Sequence, residues 1–144
     1  MSVSANYVEI TSSQSWLKLD DTRVILDAYR EHGQGYWGIS CRETYAGNYY
    51  SIFISSDGEY GIGETRNKKV NLTILGKSSE IKTGLKKVNH IIAECRGNRL
   101  TLYVNDKFIF SYEVEGIGPG WVGMMVGTKH EQETVTVIFD NIEI

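Results

Sequence analysis

Proline, cysteine and histidine are all scarce in this sequence: one proline, two cysteines and three histidines among 144 residues. No sign of charge dominates either, since 15 Lys and Arg stand against 18 Asp and Glu, a formal net charge of −3. A nucleic-acid-binding domain favours a basic face, and this balance supplies none. No segment approaches the roughly 20 consecutive apolar residues of a membrane-spanning helix. The opening Met1-Ser2-Val3-Ser4-Ala5-Asn6-Tyr7 has no basic stretch and no apolar stretch, so no signal peptide is visible. Cys41 and Cys95 lie 54 positions apart, which excludes a CxxC redox or zinc spacing. Each sits in a strand-like apolar run, which leaves two readings open: buried free thiols, or one bridge between neighbouring strands.

The reactive motifs are missing too. His32, His90 and His130 are far apart, and no HExxH pair exists for zinc. There is no GxSxG elbow to anchor serine hydrolysis. A glycosidase needs two carboxylates about 5 to 9 Å apart. The acidic pairs Glu113/Glu115 and Glu131/Glu133 fall in turns and read as solvated loop charges. Gly118-Pro119-Gly120-Trp121-Val122-Gly123 matches GxGxxG in form only. It opens a strand, so no helix N-terminus would face a pyrophosphate.

What is present is a soluble, globular composition: 41% hydrophobic and 23% charged residues, with 15 glycines, 9 tyrosines and 3 tryptophans. The length fits one domain over 1–144. Period-2 alternation dominates. Leu100, Leu102 and Val104 alternate with Thr101 and Tyr103, then Asn105-Asp106 turns the chain and Phe108, Phe110 and Tyr112 resume. Asn and Asp tolerate left-handed backbone, so this reads as a hairpin. Tyr50, Ile52 and Ile54 alternate up to the turn Ser56-Asp57-Gly58, and Tyr60 and Ile62 return. Ile91, Ala93 and Cys95 share a face before the turn Arg96-Gly97-Asn98. Further strands are expected at 7–10, 15–19, 23–29, 36–43, 70–76, 121–127 and 134–143, with Val24, Leu26 and Ala28 facing inward. No segment holds a 3.6 period over ten residues. Many short strands broken by glycine-rich turns argue for an all-β antiparallel sandwich or jelly roll.

Two surface features remain. Asn71-Leu72-Thr73 is a glycosylation sequon by pattern, and such triplets arise often by chance. Lys68-Lys69, Lys82 and Lys86-Lys87 read as a solvated edge that blocks aggregation, with an anionic-ligand patch as the lesser alternative. The aromatic surplus is more telling. Trp16, Tyr36, Trp37, Tyr45, Tyr49, Tyr60 and Trp121 cannot all point inward. Tyr49 and Tyr50 are adjacent in one strand and therefore face opposite sides. Such rings pack cores, stack on the apolar faces of sugars or form protein interfaces.

The pieces Gly38-Ile39-Ser40-Cys41-Arg42, Asn48–Tyr60, Gly97–Asn105, Val122-Gly123-Met124 and Phe139-Asp140-Asn141-Ile142 occur in the order of a known family. On these, Tyr36–Ile144 resembles the concanavalin A-like, LamG-like jelly-roll domains of bacterial and archaeal modular surface proteins. The resemblance implies a jelly-roll fold and a Cys41–Cys95 disulfide, and tilts localisation toward the cell exterior. It implies binding of a polysaccharide or glycoconjugate, on the concave sheet or at loops along one edge. The expected role is that of a non-catalytic accessory or sensor module beside neighbouring domains. With the aromatic surplus, it nominates Trp37, Tyr49, Tyr60 and Trp121 for stacking and Arg42 for polar contact. The alternatives are a structural or protein-interaction domain and, below that, a sandwich glycosidase. No cofactor is expected. Calcium is common in related sandwiches, but Asp57, Asp106 and Asp140 are scattered turn acids, and the metal question stays open. Two departures stand out: the family's front strand, with its F-x-D-D-F-like segment, has no counterpart, and Asn105-Asp106 replaces the commoner Asn-Gly turn.

Overall fold

The computed structural model describes residues 2–5, 10–13, 19–115, 118–130 and 133–144. Among these, every regular element is a strand: β1 (Ser2–Ala5), β2 (Ile10–Ser13), β3 (Thr22–His32), β4 (Gly35–Glu43), β5 (Tyr49–Ser55), β6 (Glu59–Arg66), β7 (Lys69–Lys77), β8 (Asn89–Arg96), β9 (Arg99–Val104), β10 (Lys107–Glu113), β11 (Trp121–Thr128) and β12 (Val135–Glu143). They form two six-stranded antiparallel sheets, in the order β1-β12-β3-β8-β9-β10 and β2-β11-β4-β5-β6-β7. The expected all-β sandwich is therefore the observed one.

Alternation decides which side chains fill the gap between the sheets. From the first sheet come Val24, Leu26 and Ala28, then Ile91, Ala93 and Cys95, then Leu100, Leu102 and Val104, with Val137 and Phe139 beside them. From the second come Trp37, Ile39 and Cys41, then Tyr50, Ile52 and Ile54, with Met124 and Val126. Each large apolar side chain so buried contributes about 1.5–3 kcal/mol. Cys41 and Cys95 meet across this core as a disulfide, with Cα atoms 6.7 Å apart, and so staple β4 to β8.

The turns obey the same local chemistry. Asn105 and Asp106 both take positive φ, 52° and 68°, which is the two-residue type I′ geometry that suits the twist of a hairpin. Gly58, at φ 80°, closes the β5–β6 turn, where its N–H donates to the Ser55 carbonyl. Another close junction is at Gly120. A Cβ there would lie 2.4 Å from the Arg42 carbonyl carbon, so only glycine lets the chain enter β11 beside the end of β4. That segment leads into a strand, as its sequence implies.

The N-terminal register differs from expectation. Two strands that the sequence reading did not name, β1 at Ser2–Ala5 and β2 at Ile10–Ser13, stand one in each sheet, and the strands expected at 7–10 and 15–19 fall almost wholly outside the described residues. Residues 7–9 and 15–18, Trp16 included, lie outside the described residues, and Leu19 makes one isolated bridge to Gly120.

Candidate functional site

The two strand faces of the second sheet explain where the aromatic residues go. Trp37 shares its parity with Ile39 and Cys41, so it points into the core, and it is 1% exposed. This corrects its nomination as a stacking residue: no face of its ring meets solvent. Tyr60 lies on the same inward side, opposite Ile54. Its ring stacks on Phe110 of the other sheet, with centroids 5.7 Å apart and planes 14° apart, closing the gap between β6 and β10.

The outward face of this sheet is closed in its middle. Phe53 and Met125 are fully buried there, although neither belongs to the inter-sheet core. Around them lie Gly38, Ser40, Ser51, Gly61 and Gly63, all buried, and Tyr36 packs edge-on against Phe53 at 5.3 Å. Among the described residues, the buried Ser40 Oγ and Thr65 Oγ1 have no hydrogen-bond partner.

The open aromatic surface is at one end of the sheet, where β4 stops and β11 begins. Tyr45, in the β4–β5 loop, is 86% exposed and meets Trp121 edge-to-face, centroids 4.5 Å apart. Tyr49 starts β5 nearby, half-buried and facing outward. Arg42 sits in a bulge of β4 opposite β11, with φ 59°, and its side chain is buried. It pairs with Asp20 at 3.0 Å and Asp21 at 3.4 Å. The nomination of Arg42 as a polar ligand contact is thereby corrected. Its guanidinium is spent holding two exposed carboxylates in place, and Asp21 also accepts from the Gly97 N–H at 2.8 Å. Behind this corner, the Tyr50 hydroxyl donates to the Glu115 carbonyl and accepts from Arg66 at 3.3 Å. Burial raises the Tyr50 pKa above its ordinary value and keeps the phenol protonated.

Sequence reasoning thus nominated five residues, of which the structure brings Arg42, Tyr49 and Trp121 to one corner and leaves Trp37 and Tyr60 elsewhere. It passed over a cleft at the opposite end of β4, roughly 26 Å away at 3.3 Å per residue. That cleft, of about 510 Å³, is lined by Arg30, His32, Gln34, Leu85, Glu133 and Thr134. Nearby, Lys129 bonds Asp57 and, at 2.9 Å, Glu59, and its ammonium lies 5.1 Å above the Tyr36 ring. The Lys129 hydrogen bond holds the Asp57 carboxyl below its ordinary pKa. Among the described residues, no three His, Cys, Asp or Glu side chains cluster as a metal site would require.

These features define a concanavalin-like jelly-roll sandwich. Its solved likenesses are of the same kind. A carbohydrate binding module, CBM66 from Bacillus subtilis, superposes with a TM-score of 0.78 at 17% identity, over 96% of this chain and 82% of that one. A tetrameric galectin from the ball sponge Cinachyrella sp. does so with a TM-score of 0.63 at 9% identity, over 94% and 97%. A β-glucanase of Bacillus licheniformis does so with a TM-score of 0.59 at 9% identity, over 96% and 74%. At these identities the likeness is one of fold. No family model matches the chain, and no curated protein sequence does.

Proposed function

We propose that the protein is a non-catalytic carbohydrate-binding module that holds a sugar at the Tyr45–Trp121 corner. The observation that carries this reading is an aromatic ring 86% exposed and braced edge-on by Trp121, at the end of β4 where Arg42 also holds two solvent-facing carboxylates. The ring offers a face for the C–H side of a pyranose, and Asp20 and Asp21 offer acceptors for its hydroxyls. Arg42 acts as a positioning residue, fixing both carboxylates, and Tyr49 extends the apolar floor. The module would serve a polysaccharide or glycoconjugate outside the cell, as a LamG-like part of a larger surface protein; the disulfide supports that location. Fold neighbours include lectins and a carbohydrate module as well as a glucanase and an alginate lyase, and the proposal carries no catalytic step.

The test is a glycan array followed by titration of the neutral sugars that bind. Tyr45→Ala should weaken binding at least tenfold without changing the melting temperature, because Tyr45 is almost wholly exposed. Absence of any glycan bound at millimolar concentration, or full binding by Tyr45→Ala, overturns the reading. A protein-interaction role is the second reading. It is favoured by Phe108, 60% exposed and edge-on to Tyr103 at 5.7 Å, beside the outer edge of the first sheet. Light scattering that shows a concentration-dependent oligomer, lost in Phe108→Ser, would select it.

A further inference from the structure

The cleft at the Arg30 end is built differently from the aromatic corner, and its chemistry points to another ligand. Val24, Leu26 and Ala28 put the inward face of β3 into the core, and Arg30 is the next residue on that face. Its side chain is therefore carried inward to the end of the sandwich, and the residue is 6% exposed. One terminal nitrogen donates to the Gly33 carbonyl and the other to the Thr83 carbonyl, at 2.7 Å. Each of these nitrogens carries two N–H groups, so each keeps one to give. Among the described residues, the buried Nε N–H has no partner. Among the described residues, Arg30 has no carboxylate in ion-pair contact. Asp57, the carboxylate whose charge it feels, is bonded to Lys129.

A buried cation without its counter-ion is costly, and a planar guanidinium fork suits a carboxylate better than any other group. The rest of the wall is suited to hydroxyls. Gln34 and His32 can donate or accept, Thr134 can do both, and exposed Glu133 accepts. Leu85, 53% exposed, provides one apolar side. The volume, about 510 Å³, lies within the roughly 300–1,000 Å³ of small-molecule sites.

We propose that this cleft binds an acidic sugar, a uronic acid unit, with its carboxylate on Arg30 and its hydroxyls on Gln34, Thr134 and Glu133. The site is separate from the aromatic corner and stands or falls without it. A chain carrying both neutral and acidic units could engage both ends of the sandwich at once.

The experiment is a titration of the full chain with glucuronate, glucose and acetate, following the backbone amide resonances of Gly33, Gln34 and Thr134. Glucuronate should shift these amides with a millimolar or tighter Kd, at least tenfold below the values for glucose and acetate. Arg30→Lys keeps the charge but loses the fork, and should weaken glucuronate at least tenfold. Should that variant misfold, Leu85→Trp fills the cleft from an exposed position and should abolish the shifts with the remaining spectrum unchanged. Tyr45→Ala should leave glucuronate binding intact, which separates this site from the corner. No shift with glucuronate at tens of millimolar overturns the proposal. So does glucose binding as tightly as glucuronate, and acetate doing so removes the sugar from it.

Discussion

At the scale of single residues, Asp106 shows how a local compromise can be measured. It takes φ 68° at the second turn position of the β9–β10 hairpin, where glycine would carry no Cβ penalty. Asp106 is also exposed, so little is lost by removing its side chain. Asp106→Gly should raise stability by about 0.5–1 kcal/mol, read as a higher urea midpoint at constant m-value. Gly120 is the opposite case, because a Cβ there meets the Arg42 and Glu43 backbone within 2.6 Å. Gly120→Ala should cost about 1–3 kcal/mol and disturb the Trp121 environment, visible as a change in tryptophan emission. Two carboxylates set the response to acid. The Asn141 amide and then His90 hold the Asp27 pKa below its ordinary 3.8, and Lys129 does the same for Asp57. A depressed folded-state pKa adds stability above the ordinary value and surrenders it as pH falls through the depressed one. The melting temperature should therefore drop as pH falls below 3.8, and Asp57→Asn should flatten that drop.

At the scale of elements, alternation made most of the fold legible before any coordinates. β3, β8 and β9 read correctly because each buries every second residue against one core. β1 and β2 escape such a reading because Ser2–Ala5 and Ile10–Ser13 are short and show little contrast between apolar and polar positions. Trp37 was misread for a different reason. A surplus of aromatics does not by itself give the phase of a strand, and Trp37 stands two and four residues from Ile39 and Cys41 and so shares their face. The same phasing would have found Arg30, a charged residue two beyond Ala28 on an inward face. The remainder of the cleft could not be read, because Leu85 and Thr134 reach it from loops far from Arg30 in sequence. The loop that carries Leu85 is held by Asn89, which is fully buried. It accepts from the Lys82 N–H at 2.9 Å, donates to the Lys82 carbonyl at 3.0 Å, and accepts from the Asn105 amide at 3.0 Å. Asn89→Ala leaves these groups unpaired and should cost about 2–3 kcal/mol. Amide exchange should accelerate first in residues 78–88, where the restraint is lost.

At the scale of the whole molecule, one covalent link and one ion-paired bulge reinforce the same end. Cys41 and Cys95 join the two sheets through the core. Next to them, Asp21 connects the bulge residue Arg42 to the turn at Gly97. The proposed sugar corner therefore lies at the end of the sandwich that the disulfide and the Arg42 ion pairs tie together, while the Arg30 cleft joins the end of β3 to loop residues Gln34, Leu85, Glu133 and Thr134. Replacing both cysteines by alanine removes a cross-link spanning 54 positions, and the chain-entropy relation puts that loss at about 4 kcal/mol. If the disulfide mainly restrains the unfolded chain, the double variant should unfold at lower urea yet bind neutral glycans at the Tyr45 corner with unchanged affinity while folded. If instead it holds the corner in shape, affinity should fall in step with stability. Denaturant curves paired with glycan titrations on the same preparation separate the two outcomes. Arg42→Met supplies the contrast: it keeps the cross-link but frees Asp20 and Asp21, so its affinity should fall even where the disulfide is intact.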